Sequence, residues 1–153
     1  MLKTTKYTKQ NDPCCLPDVQ RVGCFFRSAL NIVERNENVA FTPQQINIFW
    51  HEAHRRKIVD DNNNLQDSAA LMDMVGDRHY VEVGLMKDNV FEPYGWFKKT
   101  GLEPQFFIRK HLQGGPSVYH YRVVDRNGNE IFEPHEPAIR DLGEVYTICY
   151  REF

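Results

Sequence analysis

The apolar positions of this chain change their period at mid-chain, from a helical repeat to strand-like alternation. In the first half, residues 18 to 36 (DVQRVGCFFRSALNIVERN) place apolar side chains at helical spacing around most of the helix circumference. Such a broad apolar surface is typical of a central buried helix. Gly23 stands directly before Cys24 and permits a backbone turn, so we expect the helix to begin close to Cys24.

A second helix is predicted to begin after Thr42 and to run to about Lys57. Thr42 is a suitable N-cap, Pro43 suits the first helical position, and Gln45 completes a capping box three residues after the cap. A third helix is predicted over residues 65 to 74, before a glycine.

The second half of the chain reads as strands. The pair Asn127 and Gly128 favours a tight hairpin turn between two of them. Helices followed by strands predict an α+β domain in which N-terminal helices pack on a C-terminal antiparallel sheet. The predicted strands are residues 79–86, 104–111, 117–125, 130–134 and 144–153.

Length and composition restrict the class of protein. The 153 residues suit one domain, which we place at 18–153 after an extended arm at 1–17. A net charge of −2 gives no bulk attraction to nucleic acid or to an anionic membrane, and no apolar run is long enough to span a bilayer. The N-terminus does not resemble a secretory signal, so we expect a cytoplasmic protein with reduced cysteines.

Cys24 is the first candidate for chemistry. A helix N-terminus and a neighbouring imidazolium both favour a thiolate, and Cys24 is placed for the first of these. The alternative is a packed core cysteine, because free cysteines are among the most buried side chains. His120, which begins a strand that turns at Asn127, is the candidate base.

Glu133 lies at the end of the next predicted strand and is the candidate group for orienting the His120 imidazole. Asp125 is a second choice, but it lies about 16 Å along the His120 strand and suits a turn better. His79 also precedes a tyrosine and a valine-bearing strand and is the rival base. Only His120 is followed by a hairpin that supplies a carboxylate.

Other features leave further alternatives open. His51 and His54 share a helix face and could start a metal site, although no third ligand is indicated. The aromatic and basic residues between 91 and 110 suit either a peptide or nucleic-acid surface or a core with a solvated rim. His111 and His135 would line the cleft or lie on the surface. We expect no cofactor, since no glycine-rich phosphate loop is present.

Three stretches, QRVGCFFRSAL, YHYRVVD and NEIFEP, together resemble the papain-like cysteine peptidases, most nearly the bacteriocin-processing group. The family has a glutamine before a nucleophilic cysteine on a helix, then a histidine on a strand, then an Asp-Pro on the next strand. The opening glycine-cysteine-aromatic run also resembles an uncharacterised bacterial or phage-borne family of the same fold. The resemblance covers about residues 18 to 151 and implies a papain-like fold.

By this resemblance Cys24 is the nucleophile, His120 the base, Glu133 the imidazole orienter and Gln20 the oxyanion-hole donor. The implied activity is that of a cysteine peptidase or related amide hydrolase acting through an acyl-enzyme on a peptide or protein. The alternative is an inactive papain-like binding module, for example a phage or mobile-element protein that engages a host protein. Gln20 is closer to Cys24 than is usual, Glu133 replaces the usual Asp, and Tyr119 replaces a small residue, which favours this alternative. The oligomeric state stays open.

Overall fold

The computed structural model describes residues 7 to 114 and 118 to 153. Within these residues the chain forms helices α1 (Pro17–Val22), α2 (Cys24–Glu37), α3 (Pro43–Arg55), α4 (Ser68–Val75) and α5 (Gly95–Lys98). The strands are β1 (Tyr80–Lys87), β2 (Val90–Pro93), β3 (Phe106–Leu112), β4 (Tyr119–Val124), β5 (Glu130–Phe132) and β6 (Glu144–Glu152). None of the described helices has the length and apolar character needed to cross a membrane.

All six strands join one antiparallel sheet in the order β2-β1-β6-β3-β4-β5. The last strand of the chain, β6, lies in the interior of the sheet between β1 and β3. The predicted α+β class is therefore confirmed. The predicted turn between β4 and β5 is also present, with Gly128 at a φ of 85° and the Asp125 carboxylate accepting from the N–H groups of Asn127 and Asn129.

Gly23 divides the first predicted helix into α1 and α2. It is the C-cap of α1 and the N-cap of α2, so α2 begins at Cys24 as expected. A Cβ at Gly23 would lie 2.4 Å from the carbonyl oxygen of Val19, which is closer than atoms pack. Glycine is thus required where the two helices meet.

The predicted and observed ends of α3 and α4 agree at some residues and differ at others. The capping box at Thr42 and Gln45 is formed, and α3 begins at Pro43 as predicted but ends at Arg55. The start of α4 was predicted three residues too early. Leu65 instead pairs with Val59 in an isolated bridge, and Asp67 caps the helix by accepting from Ala70 N–H.

The main core lies between α2 and one face of the sheet, and a smaller apolar cluster covers the other face. The smaller cluster distinguishes between the two interpretations of the aromatic segment at 91–110. Phe97 of α5, an element not predicted, and Phe107 are buried in it, whereas Trp96 is exposed. Phe91 and Phe106 are partly buried against the two clusters, so the core interpretation holds for these phenylalanines, and the segment also contains the unpredicted β2.

Residues 7 to 16 form turns that pack against the domain before α1 begins. Gln10 and Cys15 are buried, and the Gln10 N–H donates to the carbonyl of Pro134 at 2.7 Å. Asn11 exchanges two hydrogen bonds with the backbone of Glu136. This segment therefore holds the stretch that follows β5. The rest of the arm, residues 1 to 6, is outside the described part of the chain.

Candidate functional site

Cys24 occupies the first position of α2, where helix geometry leaves backbone N–H groups without helical partners. The thiol is half-buried. Phe25, the next residue, stacks on the Tyr121 ring of β4 with 4.3 Å between ring centroids, which brings the start of α2 against the sheet. Ser28, one turn further, donates to the carbonyl of Tyr121 and strengthens the same contact.

Two opposing influences act on the Cys24 sulfur. Burial raises the pKa of the thiol to about 11, and the negative charge of Glu133 acts in the same direction. The backbone N–H groups of Tyr121, Phe25 and Cys24 favour the thiolate and lower the pKa, but they do not outweigh burial. The thiol is therefore protonated at neutral pH in this conformation.

His120 lies near the start of β4 and contacts Glu133 directly. Its Nε2 lies 2.5 Å from Glu133 Oε1, and both side chains are 4% exposed. Because a carboxylate can only accept, Nε2 carries the hydrogen of this bond. The other ring nitrogen, Nδ1, is the one left for a proton from a thiol.

Glu133 is held by more than His120. Its Oε1 also accepts from the His135 backbone N–H at 3.0 Å, and its Oε2 lies 2.8 Å from Arg122 Nη2. Burial alone would raise the pKa of the carboxyl group, but the hydrogen bond and charge of His120, the His135 N–H and Arg122 together lower it. Glu133 is therefore ionised beside His120 at neutral pH.

Cys24 and His120 line one cavity of about 810 Å³, together with Phe25, Tyr119 and Tyr121. A direct hydrogen bond between the thiol and the imidazole is not among the contacts of the described residues. Catalytic hydrogen bonds are often long in unliganded sites. The position of Cys24 and His120 on one cavity is therefore compatible with a catalytic pair. The predicted cysteine, histidine and carboxylate are thus brought together.

The Gln20 side chain has a different environment. Its Nε2 donates to the carbonyl of Cys15 at 2.8 Å, and Gln20 does not line the cavity that contains Cys24. Its role as oxyanion donor stays a prediction. Gln10 does line the cavity, as do Gln66 and Gln113. Gln10 is 3% exposed, its Nε2 donates to Gln20 O, and its Oε1 lacks a partner among the described residues.

A buried polar chain behind His120 was not predicted. Arg122 Nε donates to His111 Nε2 at 3.1 Å, and His111 Nδ1 in turn donates to Leu112 O. Burial lowers the pKa of His111, which is consistent with a neutral ring that accepts from a guanidinium. Part of this arrangement can be recognised from the sequence, because side chains two residues apart on a strand lie on the same face, and Arg122 follows His120 by two residues.

Of the remaining candidates, His79, Asp125, His54 and His111 do not line the cavity, whereas His135 does. His79 is exposed and bonds to Asp73 at 2.7 Å, and Asp125 caps the β4–β5 turn. Both nitrogens of His54 are occupied, by Trp50 O and Asn63 Oδ1. His135 lines the cavity, whereas His111 is fully buried.

Within residues 7–114 and 118–153, no group of three or more histidine, cysteine, aspartate or glutamate side chains is arranged to hold a metal ion. No family model matches the sequence, and no match was found among the curated proteins or the solved structures, so the site is interpreted from its own geometry.

Proposed function

We propose that this protein is a cysteine peptidase or related amide hydrolase in which Cys24 is the nucleophile, His120 the general base and Glu133 the residue that orients the imidazole. The observation that carries the proposal is the buried 2.5 Å contact between His120 and Glu133 at the cavity that also contains Cys24. A carboxylate on one ring nitrogen leaves the other in the form needed to accept a proton from a thiol.

The reaction begins when the thiol proton of Cys24 passes to His120 Nδ1. The thiolate sulfur then attacks the substrate carbonyl carbon, and the carbonyl oxygen becomes an oxyanion. Backbone N–H groups at the start of α2 lie beside the Cys24 sulfur and donate to this charge, and such donors contribute about 3 kcal/mol to catalysis.

Collapse of the tetrahedral intermediate breaks the carbon–nitrogen bond, and His120 gives its proton to the leaving amine. An acyl thioester remains on Cys24. Water then attacks the thioester carbon, with His120 removing the water proton, and the release of the acid restores the thiol. This sequence uses no cofactor, and a peptide or protein in the cytoplasm is the substrate we propose.

The papain-like fold is part of the same proposal. Its support is the order of elements: a helix that begins at the cysteine, then further helices, then an antiparallel sheet. The histidine lies near the start of β4, and its carboxylate partner follows β5, the next strand of the hairpin. These positions match the three stretches that carry the resemblance.

The test is the pH dependence of Cys24 alkylation by iodoacetamide, with peptide mass mapping to separate Cys24 from the other thiols. Proton transfer from Cys24 to His120 predicts an apparent pKa of the thiol well below the value of about 11 that burial imposes. His120→Ala should raise that pKa. His79→Ala is the matched control and should leave it unchanged, because His79 is exposed and lies apart from the cavity.

A different alkylation result would exclude Cys24 as the nucleophile. If Cys24 titrates near the value of about 11 that burial imposes, and His120→Ala does not alter it, the nucleophile role is excluded. That raised pKa is the observation that favours the second candidate function, an inactive papain-like module that binds a host protein. The binding module predicts that Cys24→Ala retains partner binding in full.

A further inference from the structure

Lys110 lies among three tyrosine rings next to the cavity. Its Nζ is 4.2 Å from the ring centroid of Tyr119, 5.1 Å from that of Tyr146 and 5.8 Å from that of Tyr121. All three tyrosines line the cavity that contains Cys24. Ammonium groups are attracted to aromatic ring faces, so the rings restrict where the Lys110 charge lies.

The sheet register places this charge close to the nucleophile. Lys110 of β3 is directly opposite Tyr121 on β4 and Tyr146 on β6. Residues directly opposite in a sheet have their Cβ atoms about 5 Å apart. Phe25 stacks on Tyr121, and Cys24 immediately precedes Phe25, so a short chain of contacts joins Lys110 to the sulfur-bearing residue.

The Lys110 charge is not neutralised by a carboxylate. The neighbouring Arg109 pairs with Asp141 and Glu144, but Lys110 takes part in no ion pair within residues 7–114 and 118–153. Aromatic rings attract an ammonium group without cancelling its charge. Lys110 does not line the cavity itself, so its positive charge acts on a ligand there from beside the tyrosine rings.

The other charged residues of the cavity do not offset this charge locally. Arg21 is paired with Asp18. Glu82 of β1 is opposite Tyr150 on β6, four residues along that strand from Tyr146, which corresponds to about 13 Å. Glu133, whose negative charge acts on the Cys24 thiol, is paired with Arg122, whereas the positive charge of Lys110 lies beside the tyrosine rings of the cavity and the negative charge of Glu82 lies further along β6.

We propose that Lys110 determines specificity at this site by favouring substrates with a carboxylate near the carbonyl that Cys24 attacks, as in an acidic peptide. This inference rests on the proposed function, since it assumes that Cys24 is the reacting atom. An anionic group beside an unneutralised ammonium gains attraction that a neutral group of the same shape does not.

The experiment compares the rates at which iodoacetate and iodoacetamide alkylate Cys24, with peptide mapping. The two reagents transfer similar groups and differ in that only iodoacetate carries a negative charge. The ratio of the two rates therefore measures the local charge and is independent of thiol reactivity. We expect Lys110→Met to lower the iodoacetate-to-iodoacetamide ratio by about tenfold, and Lys110→Arg to retain it.

Lys99→Met is the matched control, because Lys99 is an exposed lysine at the end of α5 and should leave the ratio unchanged. If Lys110→Met does not fold, Lys110→Gln serves in its place. An unchanged ratio in the folded Lys110 variant overturns this inference and leaves the proposed function intact. If Cys24 reacts with neither reagent, the proposed function fails, and the specificity role fails with it.

Discussion

His120 and Glu133 are 13 residues apart and form a 2.5 Å contact in which both side chains are almost fully buried. The turn at Gly128 makes this possible, because it returns the chain antiparallel to β4 with Phe132 opposite Val123, and this register brings Glu133 within reach of His120. Arg122 and the His135 N–H hold the Glu133 carboxylate in place. The orientation of the imidazole is therefore built into the hairpin.

Removal of the Glu133 charge should change how stability depends on pH. The pKa of Glu133 is lowered below its ordinary value of 4.5 in the folded state, so its ionised form stabilises the fold above that pH. This stabilisation is lost as the pH falls through the folded-state pKa. We expect the free energy of unfolding, measured with urea between pH 3 and 7, to fall less steeply in acid for Glu133→Gln. The exposed Glu103→Gln is the control, and an identical slope in both variants would contradict the assignment.

A methyl group at Gly23 should destabilise the protein. Its Cβ would lie 2.4 Å from Val19 O, so the backbone between α1 and α2 must shift. We expect Gly23→Ala to cost about 1–3 kcal/mol, measured by urea denaturation. Gly95→Ala is a matched control, because a Cβ there meets no atom within 4 Å. Equal stability of the two variants would show that α1 and α2 do not require glycine between them.

The buried ion pair between Arg27 and Glu34 should be sensitive to loss of one partner. Both side chains are fully buried, with Arg27 Nη2 2.7 Å from Glu34 Oε1. Glu34→Gln leaves an uncompensated guanidinium, and we expect a loss of about 3–5 kcal/mol in unfolding free energy.

The double variant Arg27→Met/Glu34→Leu removes both charges and should recover much of this loss. If the single and double variants are equally unstable, the loss arises from packing and not from the unpaired charge.

The other cysteines provide internal references for the alkylation experiments. Burial raises the pKa of Cys149 to about 12 and that of Cys15 to about 11, whereas Cys14 is exposed. In the folded protein at pH 8, we expect iodoacetamide to label Cys14 and to leave Cys15 and Cys149 unmodified. Mass mapping before and after denaturation measures this. Rapid labelling of Cys149 in the folded state would mean that β6 opens readily.

Sequence alone determined the features that depend on neighbouring residues. The break at Gly23, the capping box at Thr42 and the Asn-Gly turn are local, because each needs only side chains and backbone a few residues apart. The pairing of His120 with Glu133 was predictable for the same reason, since a hairpin connects them.

Only the tertiary structure decided the properties that depend on which distant segments cover a group. Gln10 belongs to the segment predicted to be an extended arm, yet packing places it in the cavity that contains Cys24, and Arg122 meets His111 through strand pairing. Leu65 pairs with Val59 instead of starting α4. The pKa of Cys24 rises because the folded chain removes water from the thiol. Desolvation is a property of the whole surrounding structure, whereas a helix start is a property of a few adjacent residues.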